Sequence, residues 1–221
     1  MYNSKGGIMG KMTSQLASSV KLRGHKRETM FNNLYGNPTT QINWSGASAD
    51  CLIESKKLLA TLDQSIGSQS NKVSVKGGNT IQIHLGKLPE LTDRAKFNVT
   101  KNHKGQTVVD HGISFADQKA QLKSKDFWDT YLRKGDVIAW SIDDKGKFAF
   151  FNMDNVIDFI INNCNWRLLP TGRLKGDFFG KQYLTYEYRN KKDMFVLGAH
   201  GGKKGKQFIN LLMNNIPCHI Q

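Results

Sequence analysis

The stretch DVIAWSIDDKGKFAFF, residues 136 to 151, gives the clearest indication of how this chain folds. Two apolar segments, Asp136 to Ile142 and Lys147 to Phe151, flank the turn sequence Asp143-Asp144-Lys145-Gly146. Apolar segments joined by a short turn rich in Asp and Gly are typical of a β-hairpin. A short helix that is capped by Asp154 and runs through Ile161 is predicted after it. The pattern therefore predicts a β-sheet with a helix attached.

Further strands are predicted upstream of this hairpin. Residues 72 to 76, Lys-Val-Ser-Val-Lys, alternate valine with polar side chains, which is the period of a strand with one polar face. Thr80 to Leu85 continues that periodicity beyond Gly77-Gly78. A short apolar run, Cys51-Leu52-Ile53, comes earlier and is followed by a turn expected at Ser55-Lys56-Lys57.

Helical patterns alternate with these strands. Residues 12 to 35 are predicted to be helical with a break near Gly24, and the helix ends at Gly36-Asn37-Pro38. Its apolar residues that can share one face are Leu22, Met30, Phe31 and Leu34. A second helix is predicted over Leu122 to Leu132, with Gly135 closing it. The predicted fold class is α/β, a single domain of residues 1–221 with a central mixed β-sheet flanked by helices.

Composition indicates the kind of partner. The 221 residues include 32 Lys+Arg and 18 Asp+Glu, which gives a formal net charge of +14. Such a charge favours nucleic acid, because cationic side chains on phosphates release condensed counterions. No membrane association is expected, since no apolar run reaches the ~20 residues of a bilayer span and no basic amphipathic helix is evident. Three widely spaced cysteines predict neither a zinc site nor a disulfide framework, and the cytoplasm is the expected location.

Asp50 and Lys76 form the pair with the clearest chemical meaning. Each lies at the end of a short strand-like segment, and the residues between them suffice for a hairpin-like return that brings both to one end of a sheet. Phosphodiester hydrolysis uses such a pair, because a carboxylate holds a divalent ion while a lysine orients or deprotonates the attacking water. Mg²⁺ is the predicted cofactor, since it needs few protein ligands.

These residues resemble the active-site signature of the PD-(D/E)xK superfamily, and within it the type II restriction endonucleases. The resemblance rests on Ser48-Ala49-Asp50, on residues 72 to 82 with their strand, lysine and Gly/Asn loop, and on the helical segment Lys26-Arg27-Glu28-Thr29-Met30. It covers about residues 20 to 165, the predicted catalytic core. The resemblance implies a restriction-endonuclease-like core, Mg²⁺-dependent cutting of double-stranded DNA at a specific sequence, a homodimer, a cognate DNA methyltransferase, and a prokaryotic or viral origin.

The sequence departs from the family pattern at one position. The second acid, two residues before the lysine, is replaced by Ser74, which still occupies a catalytic position but carries no charge. Glu28 and Glu54 are the candidates for the missing carboxylate, with Glu28 preferred. Gln82 can add a neutral oxygen ligand. The predicted metal ligands are therefore Asp50, Glu28 and Gln82.

The last part of the chain is predicted to contact DNA. Residues 166 to 206 contain ten basic and three acidic residues and thus contribute +7, half of the net charge. Glycines and aromatic residues are interleaved with them, and arginine can read guanine through two hydrogen bonds. Residues about 166–210 are therefore assigned as the basic DNA-contacting part. Its candidate DNA-binding residues are Arg167, Arg173, Lys175, Arg189, Lys203, Lys204 and Lys206.

Two other functions remain open at this point. A repair or structure-selective nuclease would use the same centre on a different DNA substrate. A non-enzymatic DNA- or RNA-binding protein would explain the charge alone. Cutting of intact plasmid into discrete fragments, and dependence on Mg²⁺, distinguish the three.

Overall fold

The structure is a computed structural model that describes residues 14–37, 49–79, 81–87, 98–101, 107–110, 119–120, 122–131, 135–169, 173–189, 194–199 and 203–221. Helices run over Ser14–Tyr35 (α1), Lys56–Ile66 (α2), Lys125–Tyr131 (α3), Met153–Asn163 (α4) and Lys204–Met213 (α5). Strands run over Cys51–Leu52 (β1), Lys72–Gly77 (β2), Ile81–Lys87 (β3), Asn98–Lys101 (β4), Thr107–Asp110 (β5), Val137–Ser141 (β6), Phe148–Asn152 (β7), Asn165–Leu168 (β8), Leu174–Phe178 (β9), Lys181–Arg189 (β10), Met194–Ala199 (β11) and His219–Ile220 (β12). None of the helices in these ranges combines the length and the apolar character that crossing a bilayer requires.

A mixed five-stranded sheet with the order β1-β2-β6-β7-β12 lies at the centre. Strands β2 and β6 are parallel, with Val73 opposite Val137, and the other neighbours are antiparallel. The predicted hairpin is confirmed as β6 and β7. The sheet is buried on both faces, because Val137 and Ala139 pack with α1 and α2 while Ile138 and Trp140 pack with α3 and α4. The predicted mixed sheet flanked by helices is therefore present.

A second sheet, which the sequence did not predict, is entirely antiparallel and has the order β3-β11-β10-β9-β8. Its inner face packs on α4 and α5, where the Phe178 ring stacks on Phe159 at 5.4 Å and contacts Phe208 at 5.8 Å. Strands β4 and β5 form a separate pair. The expectation of one sheet was wrong because the short strands after residue 165 pair with one another and with β3.

Helix α1 is continuous, so the break predicted at Gly24 is wrong. Its C-terminal turn is held on the central sheet by Phe31 and Tyr35, whose rings meet Phe148 edge-on at 5.4 and 6.1 Å. A glycine costs a helix only about 1 kcal/mol, which such packing outweighs. The predicted shared apolar face was also wrong in part, since Leu22 and Leu34 are exposed.

Three local predictions are corrected by the capping pattern. The turn expected after residue 54 is instead the start of α2, where the Ser55 side chain accepts a hydrogen bond from Leu58 N and left-handed Gly67 ends the helix. Asn152, not Asp154, caps α4. Gly135 does not end α3 but lies beside β2, where a Cβ would come within 3.1 Å of Ser74 N.

Candidate active site

The central sheet brings Asp50 and Lys76 together, as the sequence predicted. Strands β1 and β2 pair with Cys51 opposite Val73, and Asp50 N donates a hydrogen bond to Val73 O at 2.9 Å. Lys76 lies further along β2, and its Nζ is 2.5 Å from Asp50 Oδ2. The return between the two strands is made by α2 and not by a simple hairpin. Both side chains remain about one quarter exposed, so water and solutes can reach them.

Ser74 fixes the orientation of the Asp50 carboxylate. Its hydroxyl donates to Asp50 Oδ2 at 2.9 Å, and the residue is only 3% exposed. Lys76 donates to that same oxygen. Within the described part of the chain no donor engages Oδ1, so this atom is the one available to a ligand from outside. The serine therefore acts on the carboxylate that is present and does not replace the one that is missing.

Glu28 on α1 lies within electrostatic reach of this pair. Burial raises the pKa of the Glu28 carboxyl above its usual range, the Asp50 charge raises it further, and the Lys76 ammonium opposes both effects. His25 Nδ1, one turn earlier on the helix, is 3.5 Å from Glu28 Oε2. Asp50, Ser74 and Lys76 are thus in direct contact, from the residue before β1 and from β2, and Glu28 on α1 is electrostatically coupled to them.

Cys51 lies next to the carboxylates but stays a neutral thiol. Burial raises the pKa of Cys51 to about 12, with further contributions in the same direction from Glu28 and Asp50. Its Sγ is 3.8 Å from the Glu28 carbonyl oxygen. Thiolate, not thiol, is the nucleophile and the metal ligand, so this cysteine packs α1 against β1 and takes no part in the chemistry.

Of the other two proposed oxygen ligands, Glu54 lies apart from this site and the role of Gln82 stays a prediction. Glu54 is exposed and follows β1 at the end opposite to Asp50, about 13 Å away for four extended residues. Its backbone N donates to Tyr35 O. Gln82 lies on β3 in the second sheet, opposite Gly198, and its side chain is outside the described parts. Of the two glutamates, the geometry favours Glu28.

Arg27 is the residue of this site that the sequence analysis missed. Its guanidinium donates to both carboxylate oxygens of Asp144, at 2.5 and 3.0 Å, and to the Gly77 carbonyl at 3.3 Å. These bonds tie α1 to the end of β2 and to the β6–β7 turn. The Gly77-Gly78 pair was a visible signal of a close approach, but the sequence does not indicate which side chain approaches.

The donor set suits a sparsely ligated cation. Among the described residues there is no group of three or more His, Cys, Asp or Glu side chains arranged around one metal position. Mg²⁺ is commonly held by one or two carboxylates together with water and phosphate oxygens. Asp50 and Glu28 are the carboxylates that could supply such ligands, whereas a zinc site with four protein ligands does not fit the described residues here.

The candidate DNA-binding residues fall in two places. Arg167 and Lys175 lie opposite each other on β8 and β9, on the face of the second sheet that points away from Leu174 and Phe178. Arg167 Nε is paired with Asp177 at 2.6 Å. Arg173 is exposed just before β9. Arg189 ends β10, and its side chain lies outside the described parts.

The remaining three are at the start of α5. Lys203 and Lys206 are exposed, whereas Lys204 is half-buried. Lys204 Nζ donates to Gln182 O at 2.6 Å and lies 5.7 Å from the Tyr183 ring centre. Lys204 therefore holds α5 on β10, and Lys203 and Lys206 are the more accessible charges.

Comparisons with known proteins found no relative whose site could be compared with this one. No protein-family model matches the chain, and neither a similar curated protein nor a similar solved structure was found.

Proposed function

We propose that this protein is a Mg²⁺-dependent endonuclease that cuts both strands of duplex DNA at a specific short sequence. The observation that carries the proposal is the Asp50–Lys76 ion pair, held by the Ser74 hydroxyl and with the Glu28 carboxylate within electrostatic reach. Glu28 and Asp50, which are 22 residues apart (28 and 50), gain nothing in stability from being placed where the Asp50 charge raises the pKa of the Glu28 carboxyl. Such a cluster is typical of a functional site.

Each residue of the site has a separate role in the proposed phosphodiester hydrolysis. Asp50 Oδ1 and Glu28 would hold the cation, which when bound polarises the scissile phosphate. Ser74 keeps the Asp50 carboxylate in place through its hydrogen bond. Lys76 has three N–H donors, of which one engages Asp50. The other two can orient a water molecule or a phosphate oxygen at the same position.

A backbone hydrogen bond connects the basic segment to the loop that follows β2. Gly205 N at the start of α5 donates to Asn79 O at 2.8 Å, and Asn79 is only three residues beyond Lys76. The helix start that carries Lys203 and Lys206 is thus hydrogen-bonded to the segment that follows β2. This proximity supports a substrate with repeated negative charge, such as the DNA backbone.

The wider proposal includes a restriction-endonuclease-like core and a homodimer. In its support, helix α1 with Glu28 packs on a mixed sheet in which the acid directly precedes β1 and the lysine lies on its partner β2. Cutting both strands at a symmetric site needs two centres related by a twofold axis. A cytoplasmic location and a partner DNA methyltransferase, which would protect the host sequence, belong to the same proposal.

The test is incubation of the purified protein with unmodified phage DNA and Mg²⁺, followed by sequencing of the fragment ends. Discrete fragments with a common end sequence are expected, and chelation of the metal should prevent them. Cutting of branched or flapped DNA but not of intact duplex would indicate a repair nuclease. Binding of DNA without cutting of any substrate would indicate a DNA-binding protein that is not an enzyme.

Matched variants locate the centre. Lys76→Ala should abolish cutting with little change in DNA affinity, whereas Lys72→Ala, an exposed lysine on the same strand, should not affect it. Glu28→Gln should reduce cutting by orders of magnitude, with Glu54→Gln as its control. Full activity in Lys76→Ala would refute the proposed centre, and loss in Glu54→Gln alone would refute the ligand assignment.

A further inference from the structure

The tip of the β9–β10 hairpin carries an exposed phenylalanine in an unusual backbone conformation. Phe179 has φ +49 and Gly180 has φ +77, so both central residues of this two-residue turn are left-handed. Such turns favour Asn-Gly, because a bulky side chain is strained at positive φ. The Phe179 ring is nevertheless 67% exposed. Phenylalanine at this position therefore costs both backbone strain and exposed apolar surface.

The neighbouring residues hold the tip rigidly in place. Phe178 is completely buried, stacked on Phe159 with an interplanar angle of 2° and in edge contact with Tyr183. On the other strand, Gln182 O accepts the hydrogen bond from Lys204. Phe179 is thus presented to solvent by a hairpin whose base is anchored in the core.

The surroundings of the tip are basic. Lys181 follows the turn and is exposed, and the start of α5 with exposed Lys203 and Lys206 is attached to the same strand through Lys204. The carboxylate of the hairpin, Asp177, is already paired with Arg167. An exposed aromatic ring among lysines is complementary to nucleic acid, in which flat bases alternate with phosphates.

We propose that Phe179 contacts the face of a nucleobase, with Lys181, Lys203 and Lys206 on the flanking phosphates. The inference rests on the proposed function in taking DNA as the ligand, and it adds a base contact from the second sheet, on a different element from Asp50 and Lys76. Apolar side chains of this kind enter the base stack of duplexes or stack on unpaired bases. Strained residues persist where function maintains them, which accounts for a phenylalanine where asparagine would fit the turn better.

The decisive variant is Phe179→Asn, because it should improve the fold while removing the ring. Asn-Gly is the preferred pair for this turn, so the melting temperature should stay the same or rise. Affinity for a short mixed-sequence duplex should fall about 10- to 100-fold, the range supplied by base–aromatic stacking. Phe179→Trp should retain the affinity. Leu168→Asn, at an exposed leucine on β8 of the same sheet, should change nothing.

The measurement is fluorescence anisotropy in Ca²⁺ without Mg²⁺, with the duplex and its single strands as separate probes. A loss confined to the duplex assigns insertion into paired DNA, and a loss confined to the single strands assigns stacking on unpaired bases. Unchanged affinity in Phe179→Asn for both probes would overturn the proposal, as would an equal loss in Leu168→Asn. Phe179→Gly, which also suits positive φ, provides a second variant for the same comparison.

The two proposals can fail separately. If the wild-type protein binds DNA through Phe179 but never cuts with Mg²⁺, the base contact stands and the endonuclease proposal fails. If Phe179→Asn binds and cuts like the wild type, the base contact fails and the endonuclease proposal stands.

Discussion

Replacing Gly77 by alanine should destabilise the protein at the end of β2, next to the candidate active site. Gly77 is the last residue of β2 and follows Lys76 directly. A Cβ at this position would lie 2.6 Å from Arg27 Nε and 2.8 Å from Arg27 Cδ, with Ser141 Cβ at 3.1 Å on the other side. Contacts under 3 Å are not tolerated, so either the strand end or the arginine must move.

The arginine cannot move without losing its hydrogen bonds. Its side chain is 13% exposed and is held by Asp144 and by the Gly77 carbonyl. A hydrogen bond to a charged group contributes about 1.5–3 kcal/mol, but Asp144 is 53% exposed, and solvent screening places its share at the low end. Overpacking alone costs about 1–3 kcal/mol. We therefore expect a loss of about 2 kcal/mol in the free energy of unfolding.

For a domain of this size, that loss corresponds to a fall of about 4–8 °C in melting temperature, measurable by circular dichroism or scanning fluorimetry. Gly24→Ala is the matched control on the helix that carries Arg27: nothing lies within 4 Å of its Cβ, and alanine should stabilise the helix. In the Arg27→Ala background the cost of Gly77→Ala should shrink, since the clash partner is gone. A neutral Gly77→Ala, or strictly additive single and double variants, would refute the reasoning.

Three further outcomes are expected. Burial and Asp50 raise the folded-state pKa of Glu28, so ionisation of Glu28 lowers the free energy of unfolding as pH rises through that pKa. The metal-free Glu28→Gln variant should therefore have a higher melting temperature than wild type at neutral pH, and this gain should vanish below the ordinary glutamate pKa. Equal melting curves at neutral pH would contradict this. Ser74→Ala should cost about 1–2 kcal/mol and weaken Mn²⁺ binding in calorimetry; unaltered metal affinity would show that the hydroxyl does not orient Asp50. Replacing Lys203 and Lys206 by alanine should flatten the log–log salt dependence of DNA binding by up to about 2 units, and an unchanged slope would place the DNA on another face.

Strands with a clear local pattern were predictable from sequence, and so was the pairing within the β6–β7 hairpin, whereas pairings between distant segments were not. The hairpin of β6 and β7 and the valine-rich β2 follow from local pattern alone. The parallel pairing of β2 with β6 depends on side chains 64 residues apart (73 and 137), and no local pattern records it. The second sheet escaped prediction for the same reason, because β3 pairs with β11 more than a hundred residues later.

The sequence contains the capping signals of α2 and α4, but both were interpreted wrongly. Ser55 and Gly67 are a normal N-cap and left-handed C-terminal pair around an amphipathic segment, and that signal was sufficient to identify the helix. At α4, asparagine and aspartate two residues apart are both good N-caps, and only the backbone conformation distinguishes them.

The part of the candidate site that could be predicted is the part whose residue types the proposed chemistry requires. The pairing of Asp50 with Lys76 was predicted from the need for a carboxylate and a lysine. The preference for Glu28 over Glu54 came from the family resemblance, and its role as a metal ligand stays a prediction. Arg27 was not predictable, because its role depends on which side chain fills the space above Gly77. The side chains of Gln82 and Arg189 lie outside the described parts, and their proposed roles stay predictions.

The parallel pairing of β2 with β6 has a consequence for the stage of synthesis at which the candidate site can be assembled. Chains emerge from the ribosome with the N-terminal residues first, so Asp50 and Lys76 are synthesised long before residues 137–141. Until then β2 has only the two-residue β1 beside it, and an isolated pair of strands is marginally stable in water. A chain that terminates before residue 137 therefore contains the groups of the candidate centre without the sheet that aligns them. Under the proposed function, such a fragment should not cut DNA.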